Sequence, residues 1–481
     1  MRKTPASRNA DRSRLVILAA GCAAFMNILD GTIVNVSLPS VVHDLKVDTD
    51  VGVWIILAYS VTLAGTVLAF GKLADRLGMG RVMTWGYLLF TGSSLLCGLA
   101  PTATVLVAGR LLQGIGGGML SATSLGAVGS YLPPERRGWG IGIVSAASAL
   151  GAMLGAPIGG FLSEMAGWRW IFLVNLPVGL FAWYIVSFRF PRDAGTMANL
   201  NRRTIGIDPA GVLLSVVALG SLLYGITRGP DDGWLSAPVL GSLLSAAFFS
   251  VAFLFRERRS PDPLLNWSLF RDRRFLVANL ANFFTSMFVA GVNFLFPFYL
   301  IYVQGLGQAV TGAVLILFSG VYVLVSPVAG RMSDRIGVRL LTTGGMALAS
   351  GGLLVFTFLA GAPSMAAPVG LLVLLGVAYG LYLSPNNRQI LNLAPPQGQG
   401  SASGVLRLLF YLGQPLGVAL AEAALRDGLP ETVLSVSQWR SLPVAELVTA
   451  FQGGFIICAV VAALAACCSL FSSGRGKTPR P

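Results

Sequence analysis

The sequence is poor in charged residues. Only 11% of its 481 residues are Asp, Glu, Lys or Arg, whereas a typical soluble domain has about 25%. Hydrophobic side chains make up 54% of the chain, and 59 glycines add to the small and apolar share. No soluble fold of this length buries that much apolar surface, so the composition excludes a soluble enzyme, a secreted domain and a disordered chain. It predicts a polytopic helical membrane protein.

Residues for metal, disulfide and nucleotide chemistry are also scarce. The chain has one histidine, His43, and five cysteines that lie in apolar runs without a CxxC spacing. This pattern indicates neither a metal site nor a disulfide framework. No Walker motif, GxGxxG fingerprint or nucleophile elbow occurs. We therefore expect no cofactor and no enzyme activity, and any transport must draw its energy from an ion gradient.

Long apolar runs predict fourteen membrane-spanning helices, because about 20 mostly apolar residues cross a bilayer. The first run has no small-residue cleavage site after a short apolar core, so it is expected to stay as the first span. The predicted spans are residues 15–37, 52–70, 82–100, 103–127, 140–162, 170–188, 209–227, 237–255, 275–302, 310–329, 340–360, 366–386, 402–424 and 450–472.

Basic residues predict the orientation of these spans. If the N-terminus is cytoplasmic, the cytoplasmic segments hold 27 Lys and Arg residues and the outer loops hold 5. The positive-inside rule then predicts that both termini are cytoplasmic. The net charge of +14 is thereby explained as a topology signal, and we expect no nucleic-acid partner. Arg110 and Arg407 remain inside spans.

Three pairs of sequence motifs recur eight spans apart. A parallel offset of eight spans within fourteen predicts two six-helix bundles with two inserted helices between them. The pairs are residues 71–78 with 330–337, residues 155–159 with 413–417, and Asn35 with Asn293. The predicted domains are a cytoplasmic tail (1–14), an N-terminal bundle (15–188), a linker region with the inserted helices (189–274), a C-terminal bundle (275–472) and a second tail (473–481).

Five motifs lie in order along the predicted spans: residues 29–39, 71–81, 110–116, 155–160 and 168–179. Together they resemble the fourteen-helix drug:proton antiporter branch of the major facilitator superfamily, and the resemblance runs from about residue 15 to 472. It implies the major facilitator fold, an all-α polytopic membrane protein in a bacterial cell membrane. Three positions depart from the family pattern: Met79 and Gly80 replace basic residues of the loop motif, and Ala156 replaces a proline of the fifth-span motif.

The small residues in these motifs predict close helix contacts and a gate. In the loop motif Gly71 and Gly78 allow a tight turn, and Asp75 can accept hydrogen bonds from the first turn of a neighbouring helix. Turn formation alone is the alternative role. The predicted gating residues are Gly71, Asp75, Arg76, Gly78, Arg81, Gly330, Asp334, Arg335 and Gly337. The predicted exporter motif of the fifth span comprises Gly151, Gly155, Pro157, Gly159 and Gly160.

Asp30 is the one acidic residue well inside a predicted span, and ionisable groups in a bilayer are candidates for function. It lies nine residues before Pro39, and Arg110 lies eight residues after Thr102, so the two are expected at similar depth. Burial disfavours the charged carboxylate, whereas a nearby guanidinium favours it. We predict that this pair couples transport to protons. A static ion pair that fixes helix packing is the alternative.

Polar side chains on two predicted spans indicate a substrate cavity, because amides do not face lipid cheaply. Asn27 shares a helical face with Asp30, and Asn279, Asn282, Ser286 and Asn293 form a stripe on the ninth span. Their alternative role is to hold neighbouring helices. The predicted cavity residues are Asn27, Asn35, Gln113, Asn279, Asn282, Ser286 and Asn293.

The sequence thus predicts a monomeric, proton-coupled exporter of amphiphilic drugs or toxic compounds that works by alternating access. Its expected partners are a small-molecule substrate, protons and the lipid bilayer. The alternative is a dedicated exporter of one endogenous metabolite, lipid or siderophore.

Overall fold

The computed structural model describes residues 5–47, 49–190, 208–260, 263–361, 364–430, 439 and 442–472. Parts of the predicted tails and linker, residues 1–4, 191–207 and 473–481, lie outside these ranges. The helices are α1 (Pro5–Leu45), α2 (Thr49–Leu77), α3 (Met79–Gly98), α4 (Ala103–Tyr131), α5 (Pro134–Met165), α6 (Trp170–Leu173), α7 (Asn175–Phe188), α8 (Pro209–Asp232), α9 (Ala237–Arg259), α10 (Trp267–Arg271), α11 (Arg273–Phe298), α12 (Gln308–Ile336), α13 (Val338–Leu359), α14 (Ala366–Leu393), α15 (Gln399–Asp427) and α16 (Val444–Ser472). A π-helical turn, Tyr299–Val303, extends α11.

Thirteen helical segments among the described residues are long and apolar enough to cross a membrane. Helices α6 and α7 together form one of them, Trp170–Phe188. The predicted span at 82–100 is not among the thirteen, although α3 is a helix of 20 residues at that place. Its sequence contains Arg81, Ser93 and Ser94, which lower its apolar character. The fourteen predicted spans therefore correspond to thirteen apolar segments and one more polar helix.

The helices group into two six-helix bundles with an inserted pair, as predicted. In the first bundle α1 packs on α5, and α4 packs on α2 and α3. In the second bundle α11 packs on α15 and α16, and α14 packs on α12 and α13. The bundles meet where α5 contacts α12 and where α2 contacts α15. The residue limits given above for the domains stay predictions.

The sequence repeat has a structural counterpart at two turns. Gly78 joins α2 to α3 with φ of 94°, and Gly337 joins α12 to α13 with φ of 88°. Residues with a Cβ rarely adopt such positive φ values, so glycine is required at both turns. The repeated motif thus forms the same turn in each bundle. We call the end of the molecule that holds these two turns the loop end.

Glycines of α5 allow α1 to approach it closely. A Cβ on Gly155 would overlap the Thr32 hydroxyl, and a Cβ on Gly159 would lie 2.9 Å from the Ile33 carbonyl oxygen. Gly151 faces the Phe25 carbonyl oxygen in the same way. Small residues at such an interface bring two backbones together in a membrane. The other two motif residues do not face this contact: Pro157 is exposed, and a Cβ on Gly160 would meet open space.

The inserted helices α8 and α9 are attached to the first bundle. Ser215 Oγ on α8 donates a hydrogen bond of 2.8 Å to the Gly65 carbonyl oxygen on α2. At the start of α8, Arg256 of α9 donates hydrogen bonds to both carboxylate oxygens of Asp208. These bonds hold the pKa of Asp208 below its ordinary value. An ion pair therefore joins α8 and α9 at the loop end.

The close contact between α1 and α5 predicts that alanine at two glycine positions of α5 will have different effects on the melting temperature. Gly155→Ala should lower the melting temperature of the detergent-solubilised protein, because overpacking costs about 1–3 kcal/mol. Gly160→Ala is the matched control and should leave the melting temperature unchanged or raise it, since alanine favours helix by about 1 kcal/mol over glycine. Equal melting temperatures for the two variants would contradict the close approach.

Candidate functional site

Asp30 and Arg110 form a buried ion pair. Their side chains are 0% and 1% exposed, and Arg110 Nη1 lies 2.5 Å from Asp30 Oδ2. The other carboxylate oxygen, Oδ1, accepts hydrogen bonds from Gln113 Nε2 at 2.8 Å and from Asn175 Nδ2 at 3.0 Å. Helices α1, α4 and α7 thus supply the carboxylate and its three donors. The predicted match in depth between Asp30 and Arg110 brings the two side chains into direct contact.

The Arg110 guanidinium makes further hydrogen bonds and aromatic contacts. Its Nε donates to the Ile55 carbonyl oxygen at 3.1 Å, and Nη1 donates to Gln113 Oε1 at 2.6 Å. The guanidinium carbon lies 4.3 Å from the ring centroid of Tyr59 and 5.8 Å from that of Phe172. Aromatic faces attract cations, and the attraction is larger where water is excluded. The cation therefore has compensation from a carboxylate, an amide, a carbonyl and two rings.

A large cavity lies between the two bundles, near this ion pair. Its volume is about 750 Å³, within the usual range for small-molecule sites. Aromatic and apolar side chains dominate its walls, with a few amides and one carboxylate, Glu422, among the lining residues. Glu422 accepts hydrogen bonds from Arg426, one turn further along α15. The aromatic lining residues are Tyr59, Phe294, Phe318, Tyr322, Tyr379, Phe410 and Tyr411.

Tyr59 separates the cavity from the ion pair. It lines the cavity, its ring covers Arg110, and its hydroxyl donates to the Asn27 carbonyl oxygen at 3.3 Å. Asp30 and Arg110 do not line the cavity themselves. The Tyr59 side chain thus contacts the buried arginine and also borders the space where a substrate would lie.

The predicted cavity residues divide into two groups. Asn27, Asn35 and Asn293 line the cavity, and the repeat-related Asn35 and Asn293 come from different bundles. Asn279, Asn282 and Ser286 are not among the lining residues of this cavity, so a role for them in substrate binding stays a prediction. They donate hydrogen bonds to the backbone carbonyl oxygens of Phe275, Leu406 and Phe283.

Gln113 is likewise placed elsewhere: it is fully buried and belongs to the ion-pair network. Sequence reasoning missed Asn175, Ser94 and Tyr59 as members of that network. Ser94 Oγ accepts a hydrogen bond of 2.8 Å from Gln113 Nε2. Asn175 had a signal, since it lies in the motif at 168–179, but Ser94 and Tyr59 lie in helices without a distinguishing pattern.

Two tyrosines close the floor of the cavity by bonding across the bundles. Tyr411 of α15 shares a hydrogen bond of 2.9 Å with Ser121 of α4. Tyr322 of α12 donates a hydrogen bond of 2.6 Å to the Ser145 carbonyl oxygen of α5. Both tyrosines line the cavity, so the same side chains form its surface and hold the bundles together beneath it.

The loop end is closed by two equivalent contacts between the bundles. Asp75 of α2 accepts hydrogen bonds from the Gly400 and Ser401 backbone nitrogens at 2.6 and 2.7 Å, and from Ser401 Oγ at 2.6 Å. Gly71 packs on Gly400 in the same contact. A carboxylate at a helix N-terminus satisfies free N–H groups and complements the helix dipole.

In the second contact, Gly330 of α12 packs against the Gly138 backbone of α5. Arg76 and Arg335 lie in the last turns of α2 and α12, and Arg81 lies in the first turn of α3. The Asp334 side chain lies outside the described residues.

These features suit a membrane transporter, and a family comparison decides the assignment. A sequence model described as Major Facilitator Superfamily matches residues 20–418. The chain belongs to the major facilitator superfamily. Members of this superfamily are transporters and not enzymes, and they carry small-molecule substrates. With its thirteen candidate spans and its bacterial relatives, this member is an integral protein of the bacterial plasma membrane.

Similar proteins include multidrug transporters. The chain is 34% identical to the multidrug resistance protein Stp of Mycobacterium tuberculosis, over 87% of this chain and 77% of Stp. It is 31% identical to the riboflavin transporter RibZ of Clostridioides difficile, over 84% of this chain and 86% of RibZ. It is 30% identical to the multidrug transporter protein MdtP of Bacillus subtilis, over 78% of this chain and 69% of MdtP.

Solved structures support the fold. The human organic anion transporter MFSD10 aligns with a TM-score of 0.64 at 17% identity, covering 96% of this chain and all of that one. The proton:xylose symporter XylE aligns with a TM-score of 0.63 at 13% identity, covering 95% of each chain. At such low identity these two likenesses concern the fold alone.

The bonds of Asp75 predict a change in access at the loop end. Asp75→Ala removes three hydrogen bonds between the bundles, so the α2–α15 contact should open more often. The reporter is a single cysteine, Ser403→Cys, at a fully buried position of α15 in a protein whose native cysteines have been replaced. The measurement is the rate at which a maleimide labels this cysteine in the purified protein. We expect labelling several times faster in the Asp75→Ala background. The control is Asp272→Ala, which alters an exposed cap of α11; an equal rate in all backgrounds would contradict the gate.

Proposed function

We propose that this transporter is a proton-coupled exporter of amphiphilic compounds that works by alternating access. The observation that carries the proposal is the buried Asp30–Arg110 pair, which touches the cavity wall through Tyr59. Because the proton site and the substrate site share one side chain, protonation can change the free energy of substrate binding, and substrate binding can change the free energy of protonation.

Coupling requires that protonation of Asp30 has a different cost in different conformations. In the present conformation the carboxylate accepts hydrogen bonds from an arginine and two amides. A shift of α1 relative to α4 or α7 would remove some of these donors and favour protonation. Protonated Asp30 would release Arg110, and Tyr59 would carry that change to the cavity.

Alternating access is supported by the unequal ends of the molecule. At the loop end, Asp75, Tyr411 and Tyr322 bond across the two bundles. Toward the opposite end, Asn35 lines the cavity and is exposed. With both termini cytoplasmic, as the basic residues predict, the loop end is the cytoplasmic side. We therefore assign this conformation to the outward-facing state, in which a substrate leaves the cell.

The lining favours amphiphilic substrates with aromatic groups. Aromatic rings on several helices can stack on a flat ligand, and Asn27, Asn35 and Asn293 can orient it with hydrogen bonds. A cavity of about 750 Å³ takes a drug-sized molecule. Stp and MdtP are named as multidrug proteins, which agrees with a broad substrate range. We expect the protein to act as a monomer, because each chain supplies both bundles.

A dedicated exporter of one metabolite, lipid or siderophore is the second candidate. The similarity to RibZ, which is named as a riboflavin transporter, favours it. Amide side chains that point into a mostly apolar cavity would also suit a flat, neutral molecule. Selective protection of an efflux-deficient strain against a single compound, across a panel of cationic and neutral compounds, would support this candidate over a multidrug exporter.

Proton coupling predicts the behaviour of Asp30→Asn in proteoliposomes. The amide cannot exchange a proton, so transport driven by an imposed pH gradient should fall by tenfold or more, while exchange of substrate at equal concentrations persists. The matched control is Asp44→Asn, because Asp44 pairs with Arg169 outside the membrane spans and should not affect coupling. Full gradient-driven transport by Asp30→Asn would overturn the assignment.

The position of Glu422 on the cavity wall predicts a preference for cationic substrates over neutral ones. It is the one acidic residue among those that line the cavity, and it is bound to Arg426. Glu422→Gln should weaken transport of monovalent organic cations by several-fold and leave neutral substrates unaffected, because only a cation gains from the carboxylate. The measurement is uptake into inverted vesicles for matched cationic and neutral dyes. An equal loss for both dyes would contradict a charge-selective role.

A further inference from the structure

A second cavity, of about 770 Å³, lies at the loop end of the second bundle. Five helix ends meet there: α11 and α13 begin at this level, and α12, α14 and α16 end at it. Membrane-spanning helices begin and end near the surface of the bilayer, so the cavity lies at the membrane–water interface. The cavity is separate from the transport cavity, and the two share no lining residue. We call it the interfacial cavity.

Two arginines that have no partner among the described residues line the interfacial cavity. Arg274, in the first turn of α11, and Arg339, in the first turn of α13, are both lining residues and both exposed. Neither side chain makes a hydrogen bond or ion pair with the described residues. Helix α13 begins after Gly337 without a side-chain cap, so its first N–H groups are available to an anion.

Two polar atoms in the same cavity lack the partners that buried atoms normally have. Gln389 is only 9% exposed; its Nε2 donates to the Ser472 carbonyl oxygen at 2.8 Å. Its Oε1 is buried and has no hydrogen-bond partner among the described residues, and the same holds for Thr343 Oγ1. A buried polar atom without a partner costs free energy, so a ligand that bonds to it gains affinity. Gln389 Oε1 can accept a hydrogen bond, and Thr343 Oγ1 can donate one.

Apolar side chains border these polar groups on the outer surface. Leu340 is 67% exposed, and Ile336 and Leu470 are also exposed; all three line the interfacial cavity. The site therefore combines cations, a hydroxyl donor, a carbonyl acceptor and an apolar border. Basic pockets of this kind between membrane helices suit anionic lipid headgroups.

We propose that the interfacial cavity binds an anionic glycerophospholipid whose headgroup carries a free hydroxyl. Arg274, Arg339 and the first N–H groups of α13 hold the phosphate, with Thr343 Oγ1 as a further donor. The headgroup hydroxyl donates to Gln389 Oε1. The acyl chains leave the site past Leu340.

The test uses the full-length protein, purified and delipidated in detergent, with short-chain lipids as probes. Dihexanoyl phosphatidylglycerol should raise the melting temperature, whereas dihexanoyl phosphatidylcholine and inorganic phosphate at the same concentration should not. The double variant R274Q/R339Q should bind phosphatidylglycerol about tenfold or more weakly, since each basic residue near a headgroup contributes about 1 kcal/mol. The matched control R189Q/R258Q removes two exposed arginines outside the cavity and should bind as wild type does.

Each of the following results would overturn the proposal. Equal stabilisation by inorganic phosphate would show a free-anion site, and equal binding of phosphatidylcholine would show no headgroup selectivity. Unchanged phosphatidylglycerol affinity in R274Q/R339Q would remove the assigned ligands. If that variant does not fold, Leu340→Trp blocks the cavity mouth without a change of charge and should abolish binding; unchanged binding there would also overturn the proposal. Dihexanoyl phosphatidylmethanol has the same single negative charge as phosphatidylglycerol but no headgroup hydroxyl, and it should bind several-fold more weakly; equal binding would contradict the role of Gln389.

Discussion

Two opposite charges, Asp30 and Arg110, are buried together in the first bundle, and much of the surrounding structure compensates for them. An ion taken from water into an apolar interior loses several kcal/mol of hydration, which one partner alone seldom replaces. Five helices therefore contribute to the site: α1 and α4 hold the charges, and α2, α3 and α7 add a carbonyl, a hydroxyl and an amide. Removal of either charge would leave the other uncompensated, at a cost of about 3–5 kcal/mol.

Close packing of glycines against backbone joins the helices within each bundle, whereas hydrogen bonds accompany the glycine contacts between the bundles. Gly155 and Gly159 bring α1 against α5, and Gly413 and Gly417 bring α11 against α15. Between the bundles, Asp75 and the two floor tyrosines make hydrogen bonds that water can replace. Contacts of the first kind keep a bundle rigid, because they leave no room for side chains to rearrange. Contacts of the second kind can break and form again, as two bundles that rock against one another require.

The candidate site was partly predictable from sequence. Asp30 and Arg110 stood out because charges in a span are rare and because their distances from the span ends match. The stripe Asn279, Asn282 and Ser286 does not line this cavity, although its helical spacing is real. Spacing fixes which residues share a helix face, but it does not say what that face contacts. In this protein the face packs on neighbouring backbone, for example the Leu406 carbonyl of α15, whereas Asn293 on the same helix lines the cavity.

The sequence by itself determined the membrane class, the approximate limits of the long helices, the two-bundle repeat and the matched depth of the buried pair, because apolar length, charge and repeated motifs can be read locally along the chain. Only the tertiary structure decided that Tyr59 lies between the ion pair and the cavity, that Asn175 and Ser94 complete the pair's network, and that five helix ends enclose a basic interfacial cavity. These facts depend on how helices far apart in sequence rotate and tilt against one another. That arrangement follows from the summed packing of many side chains, which no single motif specifies.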